Sequence, residues 1–546
     1  MNSFSDQADG VDDRYTPRRE PAFYLICFLY SVLAWIPIQG ITIWYDEAWR
    51  FLAAVSRPLD LEFLTRWFAH GLPVPISLPH MLLIRFVHGF LGLPSSEYVL
   101  RLVNLGAAFI AFHEIWIIAS RWSGRKTTGL AAAALLAANP YFGYYVFSIK
   151  EHMLLVVFLL LWARRLQRLV KSDGPTSSAD IFVCLSLILF SPLAASGIGA
   201  AAVWLAASKL DGRPARHDLR LLLLGVLPAA LWSYAQVRCA TFLERDFERF
   251  CFEYGLETLP PGSLYGTGSA PLSDRLLNLA GSAIGESNLF YPVGTVWLVC
   301  LLLAVWRACS RRNRSDLILL AAALGAPATL LFFELVTGRA APRMVLWLAP
   351  LLAMVAPMIL LDRSSRRHWP GFILLIVLLL STGMGWMYWW RIYPEKVRYH
   401  EFISRSGPFR FDRGRDVIIH TQALLYYPHA VLDPLSRKVI LPVPEEGTAM
   451  MTLHRDCPVR VCLGVAPDQA GSDIHPQWSD TSLRQFDGNA AWAVTMYAFS
   501  PALTGHLERN LFDGDNRVDT FIDWPYFWTR VERSGSTMTR DTESSR

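Results

Sequence analysis

The sequence predicts an α-helical polytopic membrane protein of about 11 transmembrane helices, followed by a small C-terminal extracytoplasmic α/β domain. Three observations carry this. Apolar residues make up 53% of 546 residues against 18% charged, and the mean hydropathy is +0.29, a balance that soluble enzymes do not show. Apolar runs long enough to cross about 30 Å of hydrocarbon recur along the first 390 residues. Charge then changes sign along the chain: residues 1–390 carry 33 Lys+Arg against 26 Asp+Glu, whereas residues 391–546 carry 18 against 20. The net charge of +5 is therefore a property of basic loops between spans, and it implies no nucleic-acid partner.

Residues 1–20 are expected to be a polar, disordered cytoplasmic tail. The spans follow at 21–43, 99–119, 128–147, 152–163 continuing past Arg164, 180–191, 193–208, 219–237, 289–306, 315–336, 342–361 and 370–390. The runs at 152–163 and 180–191 are short. Basic clusters fall on every second connection: Arg14, Arg18 and Arg19; Arg121, Arg125 and Lys126; Arg164, Arg165, Arg168 and Lys171; Lys209, Arg213, Arg216 and Arg220; Arg307, Arg311, Arg312 and Arg314; Arg363, Arg366 and Arg367. This alternation puts the N-terminus in the cytoplasm and, with an odd number of spans, the C-terminus outside. The first span shows no small-residue cleavage site and is expected to stay as an anchor in the cytoplasmic (inner) membrane.

Directly after that span comes Trp44-Tyr45-Asp46-Glu47-Ala48-Trp49-Arg50. Paired carboxylates at a membrane edge are costly unless wetted, paired or used, so Asp46 and Glu47 are candidate functional residues. The alternative is that they cap a helix whose first turn is Ala48-Trp49-Arg50. The first outer loop, 44–97, carries two amphipathic stretches. In 60–69, Leu61, Leu64 and Phe68 share a face; in 80–90, Met81, Ile84, Val87 and Phe90 are apolar while His80, Arg85 and His88 interrupt. Both are expected to lie in the interface without crossing it.

Asn139-Pro140 inside the third span predicts a kink that opens a cavity. The outer turn Ser148-Ile149-Lys150-Glu151-His152 sets lysine, glutamate and histidine between apolar runs. It reads either as a solvated turn with an exposed Lys/Glu pair or as a functional cluster at the membrane level of Asp46. The second large outer loop, 238–288, is charged and then Gly/Pro/Ser-rich at 260–269, the composition of a lid or acceptor-binding element. Its glycines form no phosphate-binding fingerprint. Arg339 and Arg343 flank a very short outer turn, against the positive-inside bias. They serve either lipid headgroup phosphates or a substrate phosphate gripped by guanidinium forks.

Residues 391–546 switch to short strand-like runs at 416–420, 438–441, 459–465 and 491–495, alternating with helix-compatible stretches at 422–427 and 501–510. Such a pattern is one extracytoplasmic α/β domain without a catalytic constellation of its own. Of eight cysteines, Cys27, Cys184, Cys300 and Cys309 lie in or beside spans, as small hydrophobes. Cys239/Cys251 and Cys457/Cys462 lie in outer segments, where an oxidising compartment would allow local disulfides, though spacing fixes no connectivity. No metal-type Cys/His spacing occurs.

Four stretches together resemble the GT-C membrane glycosyltransferases, in particular the bacterial dolichyl-phosphate-mannose-protein-mannosyltransferase-like and aminoarabinose-transferase-like enzymes. They are Tyr45-Asp46-Glu47-Ala48, Glu97-Tyr98-Val99-Leu100-Arg101-Leu102-Val103-Asn104, Tyr144-Tyr145-Val146-Phe147-Ser148-Ile149-Lys150-Glu151 and Pro342-Arg343-Met344-Val345-Leu346-Trp347-Leu348-Ala349-Pro350. The resemblance covers roughly residues 20–390. Departures accompany it: His70-Gly71-Leu72-Pro73-Val74-Pro75 is a loosened form of the family's Asn-His-Pro-Pro stretch, Glu151-His152 replaces the usual aromatic after Lys150, and Met344 replaces a Tyr.

The resemblance implies a catalytic domain at 21–390 and a sugar donor linked to a polyprenyl phosphate at the outer face of the membrane. The acceptor would be a glycan, lipid or protein of the cell envelope. Asp46 would be the general base, with Glu47 positioning either Asp46 or an acceptor group, and the sugar would be transferred with inversion. Lys150 and Arg343, with Arg339 and Arg101 in reserve, would hold the donor phosphate. Glu151, His152, His70 and His80 are further substrate-contacting candidates. No cofactor is expected; some relatives bind a divalent metal, toward which Asp46, Glu151 and His152 would contribute, and no metal ligand is assigned. Two other classes fit the spans. A lipid or solute transporter predicts mid-span ionisable residues, for which His113, Glu114 and Glu334 are the candidates, and repeated halves, which are not visible. A structural subunit leaves Asp46, Glu47, Lys150 and Arg343 without a task.

Overall fold

The computed structural model describes residues 20–40, 47, 51, 54, 78–92, 95–171, 291–311, 346, 348–361, 369–404, 417–420, 437–440, 490–496, 516–523 and 526–533. The expected spans at 180–191, 193–208, 219–237 and 315–336, the loop 238–288, and Asp46, His70, Arg339 and Arg343 lie outside these residues. So do both outer cysteine pairs, the helix-compatible stretches of the tail and its run at 459–465. The chain divides into two compact units. One comprises Met1–Ile41, Val74–Thr241 and Leu259–Pro394; the other comprises Thr42–Pro73, Phe242–Thr258 and Glu395–Arg546.

The first unit is helical. Its described helices are α1 (Pro21–Gly40), α2 (Leu78–Leu91), α3 (Ser95–Ser123), α4 (Lys126–Ala138), α5 (Pro140–Phe147), α6 (His152–Lys171), α7 (Tyr291–Arg311), α8 (Leu348–Leu360) and α9 (Trp369–Ser404), the last of which continues from Glu395 into the second unit. Among the described residues, Glu97–Ser123 of α3 and Trp369–Met387 of α9 are each long and apolar enough to cross a membrane, and the bent pair α4–α5 makes a third if it is one span. The core gathers on α3, which packs against α1, α2, α4, α5, α6 and α8. Phe112 meets Tyr30 of α1 edge-on at 4.9 Å and Phe142 of α5 at 5.7 Å. Phe23 meets Trp116 at 5.5 Å.

Outward faces are equally apolar. Tyr24, Phe28 and Trp35 on α1, Leu302 and Trp306 on α7, and Phe372, Leu380 and Met387 on α9 are all exposed. A soluble protein rarely leaves so much contiguous apolar surface bare, and hydrocarbon is the solvent that suits it. Helix α2 has two faces: Met81, Ile84 and Val87 are buried, while Phe86 and Phe90 are exposed with their rings 4.8 Å apart. Phe90 thus parts from the other three apolar residues with which its spacing grouped it.

The end of the bundle that holds the α3–α4 turn is basic. Gly124 takes a positive φ of 70°, the left-handed conformation that ends a helix most cheaply. Beyond it, Arg125 donates to the Leu361 carbonyl after α8, and Lys126 pairs with Glu20 at 2.7 Å, just before α1.

In the second unit, five strands form one mixed sheet in the order β2-β1-β3-β5-β4. They are β1 (Val417–His420), β2 (Arg437–Ile440), β3 (Ala490–Met496), β4 (Asn516–Asp523) and β5 (Tyr526–Arg533). β1 runs parallel to β2 and β3, while β5 is antiparallel to β3 and β4. Three of these strands coincide with expected runs. The β4–β5 pair was not expected: its register sets Arg517 opposite Glu532 and Asp519 opposite Arg530, an alternation of charge across strands that stabilises pairing without an apolar run.

Candidate functional site

The site is built on the break between α5 and α6. The kink expected at Asn139-Pro140 is present as a 64° bend between α4 and α5. Pro140 disfavours helical backbone at the residue before it and itself suits a first helical turn. Asn139 supplies the cap, its Oδ1 accepting from the backbone N–H of Tyr141 and of Phe142, both at 3.0 Å. The short α5 therefore leaves the line of α4 and presents Tyr141, Tyr144 and Tyr145.

After Phe147 the chain extends through Ser148 (φ −84°, ψ 142°), and α6 begins at His152. All five residues of Ser148-Ile149-Lys150-Glu151-His152 are buried, Lys150 at 5% exposure and Glu151 at 2%. The solvated-turn reading is thereby excluded: a lysine and a glutamate withdrawn from water demand partners. Lys150 Nζ lies 5.9 Å from the centroid of the Tyr144 ring and 6.0 Å from that of Tyr145, within range of cation–π attraction. Tyr145 joins the cluster together. Its hydroxyl lies 3.0 Å from that of Tyr141, and its ring meets His152 edge-on at 4.8 Å.

Helix α3 contributes a buried polar row at Glu97, Arg101 and Asn104, one helical face by spacing. Arg101 pairs with Glu97 at 2.5 Å, so its charge is already answered within its own helix. Asn104 Nδ2 donates to the Ser148 carbonyl at 2.5 Å. Further along α3, Glu114 accepts from Arg164 of α6 at 2.8 and 3.1 Å and lies 3.2 Å from His113 Nδ1. The mid-span carboxylate that a transporter would use is thus engaged in joining two helices.

The structure brings Lys150 and His152 together around Tyr145 and places Arg101 one helical turn from Asn104, which touches the same break. His80 is buried on α2. In the second unit, Glu47 is helical and 2% exposed, and Phe51 and Ala54, at the spacing of one helix face, are buried too. Asn104 and the two tyrosines carried no assigned role in the sequence; the only signal was their place in the matched stretches. Among the described residues, no three His, Cys, Asp or Glu side chains cluster in a way that would hold a metal ion.

Apolar spans around a buried Lys-Glu-His break define a helical membrane protein. Its fold has a solved counterpart: ArnT from Cupriavidus metallidurans, in a crystal structure bound to undecaprenyl phosphate, superposes on 93% of this chain and 97% of its own, with a TM-score of 0.54 at 13% identity. The chain has the ArnT fold, and the resemblance to GT-C membrane glycosyltransferases holds at that level. No protein-family model and no curated protein sequence matches the chain.

Proposed function

We propose that this protein is an inverting glycosyltransferase that moves a sugar from a polyprenyl-phosphate donor to an acceptor hydroxyl at the outer face of the cytoplasmic membrane. The observation that carries the reading is the buried Lys150, held against Tyr144 and Tyr145 in a helix break of a chain with the ArnT fold. That ArnT structure is bound to undecaprenyl phosphate, a lipid with an anionic phosphate headgroup of the kind that Lys150 suits.

In this reading Asp46 takes the proton from the acceptor hydroxyl as its oxygen attacks the anomeric carbon. The bond from that carbon to the phosphate oxygen breaks on the opposite face, which inverts the centre. Polyprenyl phosphate leaves with the bonding electron pair, and the cations Lys150 and Arg343 stabilise the charge it acquires. Arg339 is a further cation for the phosphate. Arg101, paired with Glu97 at 2.5 Å, is a reserve cation for the same phosphate. The residues 391–546 act as an extracytoplasmic accessory domain.

The test is Asp46→Asn in the full-length protein, with membrane glycolipids compared by mass spectrometry. Loss of the base lowers transfer by about 10²–10⁴-fold, and one glycolipid class disappears or loses a sugar. An unchanged profile from an inserted, folded variant sinks the proposal.

A further inference from the structure

Helix α3 reaches the break through Asn104, which donates to the Ser148 carbonyl, and the placement of that contact relative to Lys150 gives it a purpose. The four residues between Phe147 and His152 are neither helix nor strand, so no ladder of backbone hydrogen bonds sets the position of their side chains. The segment is fixed at its two ends instead. At the far end, the Glu151 carbonyl accepts from Leu155 N at 3.0 Å, which opens α6. At the near end, Ser148 Oγ donates to the Tyr145 carbonyl at 3.1 Å, and Asn104 Nδ2 donates to the Ser148 carbonyl at 2.5 Å from another helix, 44 residues away in sequence. Between these points lie Ile149, fully buried, and Lys150. The ammonium also lies near two ring faces, and its direction depends on the peptide plane two peptide units upstream.

We infer that Asn104 is a positioning residue, which holds the Ser148 carbonyl so that Lys150 is aimed at the phosphate of a polyprenyl-phosphate ligand. The inference rests on the proposed role of Lys150. It adds a residue outside the break, on the same face of α3 as the Glu97–Arg101 pair. That pair fills the neighbouring turn of α3, so the row acts as a rigid rail against which the break is set.

Undecaprenyl phosphate binding to the purified full-length protein in nanodiscs provides the test, read by native mass spectrometry for the parent chain, Lys150→Gln, Asn104→Ala, Asn104→Asp and the double variant Asn104→Ala/Lys150→Gln. Loss of the Asn104 donor weakens binding by about tenfold, and the aspartate, similar in volume but without the donated N–H, behaves like the alanine. In the Lys150→Gln background the Asn104 substitution adds little, because the group it aims has gone. A residue that only stabilised the fold would add its full effect in both backgrounds. If Lys150→Gln binds like the parent, the phosphate role of Lys150 falls and the inference with it. If Lys150→Gln binds weakly while both Asn104 variants bind like the parent, or the two losses simply add, the role of Lys150 stands and the positioning role of Asn104 is overturned. Should neither Asn104 variant fold, as judged by elution and unfolding midpoint, Asn104 is a structural residue and the inference is likewise withdrawn.

Discussion

Replacing Arg164 by leucine leaves the Glu114 carboxylate inside the helix bundle with His113 as its remaining close charge-bearing neighbour in this cluster. The Glu114 side chain is 5% exposed and that of Arg164 18% exposed, so neither can be treated as a surface charge. Removing one member of a buried pair costs about 3–5 kcal/mol, most of it the penalty of the charge left behind. His113 Nδ1, 3.2 Å from Glu114 Oε1 with its side chain 38% exposed, offers partial compensation, which puts Arg164→Leu near the lower end, about 3 kcal/mol. The reciprocal Glu114→Leu is milder, about 1–2 kcal/mol, because a guanidinium on a long stem can turn toward headgroups or water. The double variant recovers to within about 1 kcal/mol of the parent, since two apolar side chains then replace two charges. Reversible denaturant unfolding in mild detergent, followed by tryptophan fluorescence, measures all three. The reasoning is refuted if Glu114→Leu is the more damaging single change, or if the double variant loses the sum of the two.

Two further changes probe the bend that aims α5. A Cβ on Gly143 would collide with the Trp386 indole, meeting even Cζ3 at 3.2 Å, and Tyr30 and Phe147 pack edge-on against that indole. Gly143→Ala should therefore lower stability by about 1–3 kcal/mol, and Trp386→Leu in the same chain should restore part of it; equal midpoints for parent and Gly143→Ala would count against the close packing of α5 on α9. Asn139→Ala removes the acceptor of two N–H groups and should cost about 1 kcal/mol, with Asn139→Asp close to the parent in the same unfolding assay.

Long apolar helices were legible because their signal is local. Span 99–119 became α3, and the Asn139-Pro140 pair announced the bend because proline acts on its immediate neighbours. Helix α9 continues to Ser404, beyond the apolar run 370–390, since a helix whose composition turns polar leaves no trace in hydropathy. The β4–β5 pair escaped for a related reason: Arg517, Asp519, Arg530 and Glu532 interrupt both strands, and only the register shows that they pair. At the site, Lys150, Glu151 and His152 stood out as charge among apolar neighbours. Arg101 reads from the sequence as a reserve cation for the donor phosphate, and its pairing with Glu97, four residues earlier, emerges only from the structure. Asn104 and Ser148 are 44 residues apart, and no periodicity within one sequence links such positions. Asp46, His70, Arg339 and Arg343 fall outside the described residues, so their roles rest on the sequence and on the proposed reaction.

The bend at Asn139 also sets a depth. Helix α4 has 13 residues and α5 has 8, about 20 Å and 12 Å of helix at 1.5 Å per residue. With a 64° bend, α5 advances only about 5 Å along the direction of α4, so the pair rises about 25 Å from Lys126, short of the roughly 30 Å of hydrocarbon a full span crosses. In the proposed function, with α4 along the bilayer normal, the break at Lys150 falls below the level that a straight span would reach. A lipid whose charged group follows its own tail can meet such a cation by sliding sideways in its leaflet, whereas a water-soluble anion would have to shed its hydration and descend to it. On the proposed function, the bend would thus select a lipid ligand by route of approach as well as by charge.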